Sequence, residues 1–135
     1  MKWSFKIFLF YALLLFIKSK AQLDTLNYLK QFEANKANYI GQPFSKLLQD
    51  MTQIQPKTAW PFSKFNNKNI TYKTIFNFCD YDYSFHNVIN MSIEWADLIP
   101  FSQADYYGIL HHGNFTNDEK AFYGSKIIQD IHVYR

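Results

Sequence analysis

The residues best suited to acid–base or metal chemistry are the adjacent histidines His111 and His112, together with Asp105 and His86. Imidazole and carboxylate groups bind zinc, and imidazole exchanges protons near neutral pH. Adjacent residues point to opposite faces of a strand and lie about 100° apart on a helix, so these histidines do not form a ready bidentate pair. The H-E-x-x-H spacing of zinc peptidases is also absent. We therefore prefer solvated loop histidines, and a His/Asp site is the alternative.

The segment that begins at Cys79 offers two further candidates. Cys79 is the only cysteine, so no disulfide within the chain is possible, and its aromatic surroundings predict a buried, unreactive thiol. A disulfide between chains or a nucleophilic role is the alternative. Asp80-x-Asp82-x-Ser84 resembles the first half of a calcium loop, but Phe85 and Met91 stand where that loop requires glycine and glutamate. A tight polar turn is the preferred interpretation.

The motifs of several large catalytic families are absent, since the sequence contains no G-x-S-x-G, no Walker loop and no G-x-G-x-x-G. The sequence therefore predicts no catalytic, cofactor-binding or metal-binding residues. Trp60 and Trp95 are binding candidates because tryptophan is frequent in binding hot spots, but a place in the core is the preferred interpretation. The N-x-S/T sequons at Asn69, Asn90 and Asn114 matter only in a eukaryotic source.

Residues 1–21 are typical of a cleavable secretory signal peptide. Two lysines precede an uninterrupted apolar run of 11 residues over 7–17, and small side chains occupy the two positions that the signal peptidase reads, ending at Ala21. Eleven helical residues span about 16 Å, roughly half of a ~30 Å hydrocarbon core, so a permanent membrane anchor is the weaker alternative. We expect cleavage between Ala21 and Gln22, export to the periplasm or the extracellular medium, and no stable membrane span afterwards.

The charge balance changes when the signal is removed. The whole chain has 14 basic and 11 acidic residues, and four of the lysines lie in residues 1–21, which contain no acid. Ten basic and eleven acidic residues remain from Gln22 onward, and they form no basic run. This balance argues against nucleic acid or an anionic membrane surface as a partner. The remaining length suits one domain over residues 22–135.

Hydrophobic periodicity predicts an α+β domain that begins with a helical hairpin and continues into a small antiparallel sheet of about three strands. Helices are expected at 25–37 after the N-cap Asp24, at 43–52, and at 117–123 after a T-x-x-E capping box. Strands are expected at 70–79, 87–95 and 126–134. Residues 53–69 are expected to form a loop. Residues 97–115 also favour a loop, with a short helical turn at 102–107 as an option.

The first two predicted strands alternate between apolar and polar residues. In the first, the apolar set is Ile70, Tyr72, Phe76 and Phe78, and the polar set is Thr71, Lys73 and Asn77. In the second, the apolar set is Ile89, Met91, Ile93 and Trp95, and the polar set is Asn90, Ser92 and Glu94. We therefore expect an antiparallel hairpin with one buried face and one solvated face.

The segment Tyr39-Ile40-Gly41-Gln42-Pro43-Phe44-Ser45-Lys46-Leu47-Leu48 resembles a Y-I-G-x-P-x-S-x-L-L segment of small uncharacterised exported bacterial proteins. Residues 127–134 are similar to the I-I-x-x-I-x-V-Y ending of such proteins, and the signal ending Ala21-Gln22 is similar to theirs. The resemblance covers a minor part of the chain. It implies export and a bacterial origin, and it implies no activity.

These features favour an exported, non-catalytic domain that binds a protein or a component of the cell envelope. A periplasmic inhibitor or immunity protein is a variant of this hypothesis. The alternative is a small secreted hydrolase that uses His111 or His112 with Asp105. No cofactor is expected, and the sequence does not identify the partner.

Overall fold

A four-stranded antiparallel sheet forms the centre of the fold, in agreement with the expected α+β class. The computed structural model describes Lys6, Ile7, Leu9, residues 24–84 and residues 86–135. The strands neighbour one another in chain order: β1 (Thr58–Ser63), β2 (Ile70–Asn77), β3 (Asn90–Pro100) and β4 (Ile128–Tyr134). The helices of residues 24–135 are α1 (Thr25–Ala34), α2 (Phe44–Asp50), α3 (Phe101–Leu110) and α4 (Asn117–Gly124), with 3-10 turns at Lys36–Asn38 and Tyr81–Tyr83.

The predicted signal peptide falls almost entirely outside the described residues. Its cleavage site between Ala21 and Gln22 is outside them, so cleavage and export stay predictions. Across the residues that are described, no helix combines the length and the apolar character that crossing a membrane requires.

Local sequence signals start the helices where they were predicted to start. The Asp24 carboxylate accepts a hydrogen bond from the backbone N–H of Asn27 and caps α1. The capping box of Thr116 and Glu119 forms at the start of α4, since each side chain accepts a hydrogen bond from the backbone N–H of the other residue. Both helices of the expected hairpin are present, but α1 packs mainly on β4, whereas α2 packs mainly on α4.

The prediction of a loop over residues 53–69 is wrong for its centre, because β1 occupies Thr58–Ser63. Pro61 argued against a strand, since proline cannot donate a hydrogen bond to a neighbouring strand. β1 is the first strand of the sheet and pairs only with β2 among the named strands, with Pro61 opposite Thr74. An edge strand tolerates proline on its outer side, so β1 can form despite Pro61. The sheet therefore has four strands instead of about three.

The loop favoured over residues 97–115 is wrong in most of its length, but the optional helical turn at 102–107 lies inside a helix. β3 continues to Pro100, which lies opposite Ile70, and α3 then covers Phe101–Leu110. The Phe101 backbone N–H donates to the Asn69 carbonyl at 2.8 Å and fixes the start of α3 beside β2. Pro100 and Gly108 suggested a loop, but proline is compatible with a helix start and one helical glycine costs only about 1 kcal/mol.

One face of the sheet and the buried sides of all four helices share a single core. Trp95 and Tyr123 stack at its centre with ring centroids 5.6 Å apart, and Phe44 stacks on Phe76 at 4.8 Å. The predicted burial of Phe76 and Phe78 is confirmed, but Thr71, Asn77 and Ser92 are buried although they were assigned to the solvated face. The register between β2 and β3 shifts between Thr71 and Lys73, and this irregularity reverses the alternation there.

Parts of both outer edges of the sheet are covered by other segments of the chain. Beside β1, the Ala59 N–H donates to the Gly113 carbonyl at 2.9 Å. Beside β4, Gly41 and Gln42 exchange hydrogen bonds with Ile128, and the Glu33 carboxylate accepts from the Val133 N–H at 2.6 Å. Where the edges are covered, they offer no free backbone groups to an added strand.

Candidate functional site

His111 joins the end of α3 to the start of α4. It is the C-cap residue of α3, and its Nδ1 lies 2.5 Å from the Glu119 carboxylate oxygen Oε1. Its Nε2 lies 3.5 Å from Oδ2 of Asp118. The Thr116 hydroxyl also donates a hydrogen bond to Glu119. The ring is therefore held between two carboxylates of the first turn of α4.

Glu119 is the buried member of this cluster, with 2% of its surface exposed. Burial raises its pKa, but the hydrogen bonds from Thr116 and His111 outweigh burial and hold the pKa below its usual value. Its carboxylate also accepts from the Thr116 backbone N–H at 2.8 Å. These contacts satisfy free backbone N–H groups at the start of α4 and connect α4 to α3. They therefore act as a structural cap.

The other members of the proposed His/Asp site lie apart from this cluster. His112 and His86 are exposed, and His112 has a positive φ of 54°. The ion pairs and hydrogen bonds of the His111 ring go to the start of α4 and not to Asp105. Among the residues that the structure describes, no three His, Cys, Asp or Glu side chains are arranged to hold a metal ion.

Cys79 differs from expectation, whereas the turn that follows it agrees with the prediction. The Cys79 side chain was expected to be buried, but it is only partly buried. It borders a small depression of about 190 Å³ near the end of β2. Asp80–Ser84 forms a 3-10 turn in which the Ser84 hydroxyl donates to the Tyr81 carbonyl at 2.6 Å, so the expected polar turn is present.

The two tryptophans singled out as binding candidates have different surroundings. Trp95 is buried in the core, and its indole Nε1–H donates to the Thr74 hydroxyl at 2.9 Å. Trp60 is partly buried on the opposite side of the sheet, where its ring contacts Tyr81 at 5.7 Å between centroids. The preference for the core is therefore right for Trp95.

The outward face of α3 carries the largest group of exposed apolar side chains on one described helix. Tyr106, Ile109 and Leu110 are 58%, 69% and 49% exposed. Their spacing of three and four residues places them on one side of the helix, opposite the buried Ala104. This surface was not predicted, because only a short helical turn at 102–107 was considered within a loop over residues 97–115. The sequence of α3 has one charged residue in ten, and this low charge was the signal that could have indicated an apolar helix.

A shallow groove runs beside this face, between α3 and α4. Ser102, Gln103, Tyr106, Tyr107 and Phe122 line its volume of about 370 Å³. Tyr107 packs on Phe122 with centroids 5.0 Å apart. We name the three exposed residues Tyr106, Ile109 and Leu110, together with this groove, the α3 face.

No family model, curated protein or solved structure matches this chain. Function therefore has to be argued from the surfaces of the fold itself.

The side of the sheet opposite the core is the second candidate surface. The strand registers place side chains in rows across it: Phe62, Lys73, Glu94 and Asp130 form one row, and Trp60, Ile75, Ser92 and His132 form the next. The buried residues of the four described α-helices belong to the core, and the described element that reaches these rows is the 3-10 turn Tyr81–Tyr83, where Tyr81 contacts Trp60. We name this surface the open face.

The open face has a raised part and a hollow part. The turn Tyr81–Ser84 rises over β1 and β2, because Tyr81 contacts Trp60 and Ser84 lines a small depression with Phe62 and Ile75. Over β3 and β4 lies a polar depression of about 360 Å³, lined by Lys73, Ser92, Glu94, Asp130, His132 and Tyr134. The hydrogen bond from Lys36 holds the pKa of Asp130 below its usual value.

Proposed function

We propose that this chain is an exported, non-catalytic protein that binds another protein through the α3 face. The observation that carries the proposal is the exposure of three large apolar side chains on one side of α3. Exposed apolar patches of this kind, with a polar surround, mark interaction sites in soluble domains. The signal-like residues 1–21 support the exported location of the partner.

The composition of α3 favours a protein partner over a lipid surface. Helices that lie in a membrane interface carry lysine and arginine around their apolar face. α3 contains neither residue, and its single charge is Asp105. An apolar groove on a partner protein would accept side chains spaced by three and four residues. The groove beside Phe122 would in turn accept a side chain of the partner.

Site-specific photo-crosslinking tests this proposal in cells that export the full chain. A photoreactive residue at position 109 is compared with one at position 65, because Phe65 is also apolar and fully exposed but lies in the β1–β2 loop. We expect a discrete protein adduct from position 109 and none from position 65. The change Ile109→Ser is expected to weaken binding of that protein about tenfold, since it exposes less apolar surface for burial.

Two results would count against the proposal. Equal labelling from positions 65 and 109 would show that contact is nonspecific. Adducts with lipid alone at position 109 would indicate a membrane surface as the ligand of α3.

The hydrolase alternative has weaker support in the geometry. His111 is hydrogen-bonded to Glu119 and lies beside Asp118, so both ring nitrogens face carboxylates of α4. No nucleophilic hydroxyl or thiol lies within hydrogen-bond distance of a histidine except Thr116, whose hydroxyl is engaged by Glu119 in the described structure. A hydrolase would require a histidine nitrogen available to substrate.

A further inference from the structure

One row of the open face carries charges of both signs, because Lys73 lies directly opposite Glu94 across the β2–β3 pair. Glu94 lies directly opposite Asp130 across the β3–β4 pair, and like charges in this position destabilise a sheet. Asp130 is compensated by Lys36, whose Nζ lies 2.7 Å away. Glu94 has no ion pair among the described residues. Its neighbour Lys73 lies 5.5 Å from the centroid of the Phe62 ring and also makes no ion pair with a described residue.

We propose that the open face binds the open face of a second copy of this chain. The two copies are related by a twofold axis that runs parallel to the strands, midway between the two sheets and above the gap between β2 and β3. This axis places β2 of each copy against β3 of the other, and β1 against β4. Residues at the same height along the strands therefore face each other. Lys73 of each copy then lies opposite Glu94 of the other, because the two residues occupy the same row. Each interface therefore contains this complementary pair twice, as an isologous dimer requires.

The shape of the open face is self-complementary under the same operation. The turn Tyr81–Ser84 rises over β1 and β2, whereas the polar depression lies over β3 and β4. The axis brings each turn over the depression of the other copy. Tyr83 is exposed on the turn and enters next to the aromatic and polar lining that includes His132 and Tyr134. Asp82 of the turn approaches the exposed His132 of the other copy.

The size of the face sets the strength of this association. Four strands at about 4.8 Å spacing and a similar length along the strands give a projected area on the order of 400 Å² per copy. Stable complexes bury about 800 Å² per partner, although the turn and depression add buried surface here. The dimer is therefore reversible and depends on protein concentration. Two sheets that pack face to face in this way lie about 10 Å apart, except where side chains or turns intervene.

Charge reversal tests the dimer through the variants Lys73→Glu and Glu94→Lys of the exported protein. Sedimentation and light scattering at low salt, from about 10 µM to 1 mM, are expected to show wild-type dimers. Each single variant places like charges across the axis, so its dissociation constant is expected to rise at least tenfold. An equimolar mixture is expected to form a heterodimer with wild-type affinity, because the carboxylate introduced into one variant then lies opposite the ammonium group introduced into the other.

Three further measurements make each outcome decisive. Circular dichroism checks that both single variants are folded; if either is not, Tyr83→Ser on the exposed turn replaces it and is expected to weaken the dimer. Lys120→Glu on the exposed side of α4 is the matched control, because it reverses the same charge away from the sheet, and it is expected to leave the dimer unchanged. A wild type that stays monomeric to 1 mM, or a mixture that stays monomeric while the wild type dimerises, would overturn the proposal. Crosslinking at position 109 is independent of these results.

Discussion

Replacing Gly113 by alanine should destabilise the domain far more than the same change at Gly108. Gly113 has a φ of +80°, which L residues with a Cβ adopt at a cost of about 1–2 kcal/mol. An added Cβ would also lie 2.9 Å from Cη2 of Trp60 and 3.2 Å from its Cζ3. That is closer than carbon atoms normally approach. The backbone cannot move away freely, because the Gly113 carbonyl accepts from the Ala59 N–H at 2.9 Å.

The expected cost for Gly113→Ala combines both effects. Overpacking in a well-packed region costs about 1–3 kcal/mol, so the total is on the order of 2–4 kcal/mol. A domain of this size is stable by roughly 5–15 kcal/mol, so the change removes a large fraction of the total. At about 4 °C per kcal/mol, the midpoint of thermal unfolding should fall by about 10–15 °C.

Gly108→Ala is the matched control, because it makes the same chemical change in the same connection between β3 and α4. Gly108 lies inside α3 with an ordinary helical conformation, and an added Cβ would meet no atom within 4 Å. Alanine should therefore raise the free energy of unfolding by about 0.5–1 kcal/mol. Urea unfolding monitored by tryptophan fluorescence measures both variants. Equal effects at the two positions, or a neutral Gly113→Ala, would refute the reasoning.

Three other perturbations have definite expected outcomes. Glu119→Gln should lower the free energy of unfolding by about 1–3 kcal/mol at pH 7. Because the folded pKa of Glu119 is below its unfolded value, the ionised carboxylate stabilises the fold above about pH 4.5, and the difference between wild type and variant should shrink as pH falls through the folded pKa. Urea titrations at several pH values measure this difference. Burial and the hydrogen bond to Asp50 raise the pKa of Tyr39 to about 12 from 10.0, so stability should fall from pH 10 to 12, and less steeply in Tyr39→Phe. Trp95→Phe removes the hydrogen bond to Thr74 and part of the core stacking, and calorimetry should show a loss of about 2–4 kcal/mol.

The features predicted correctly from sequence are those that depend on neighbouring residues in the chain. Asp24 caps α1 and Thr116 with Glu119 caps α4 because the partner groups lie two or three residues away. The alternation of Met91, Ile93 and Trp95 likewise follows from the two-residue period of any strand. Signals of this kind act before the rest of the fold is formed, so they can be read from the sequence alone.

The features that were missed depend on distant pairing. β1 contains Trp60-Pro61-Phe62, which has weak strand character, and it forms because β2 pairs with one side and Gly113 covers part of the other. The pair of His111 and Glu119 was missed although both residues were singled out, since their contact requires α3 to end beside α4. Because only a short optional turn was expected at 102–107, the exposed side of the full helix α3 could not be recognised.

The two proposed binding surfaces lie on opposite sides of the domain, and this arrangement makes a further prediction. α3 belongs to the helical layer behind the sheet, so dimerisation through the open face leaves the α3 face of each copy outward. A dimer would then present two identical sites, and a surface that displays many copies of the partner should bind it more tightly than a single copy does.

We expect Lys73→Glu to lower the apparent affinity for immobilised partner at high density by tenfold or more, without changing the affinity measured for the partner free in solution. Biosensor measurements at two immobilisation densities compare these values. An equal loss in both formats would show that Lys73 contributes directly to partner binding, and the separation of the two surfaces would be wrong.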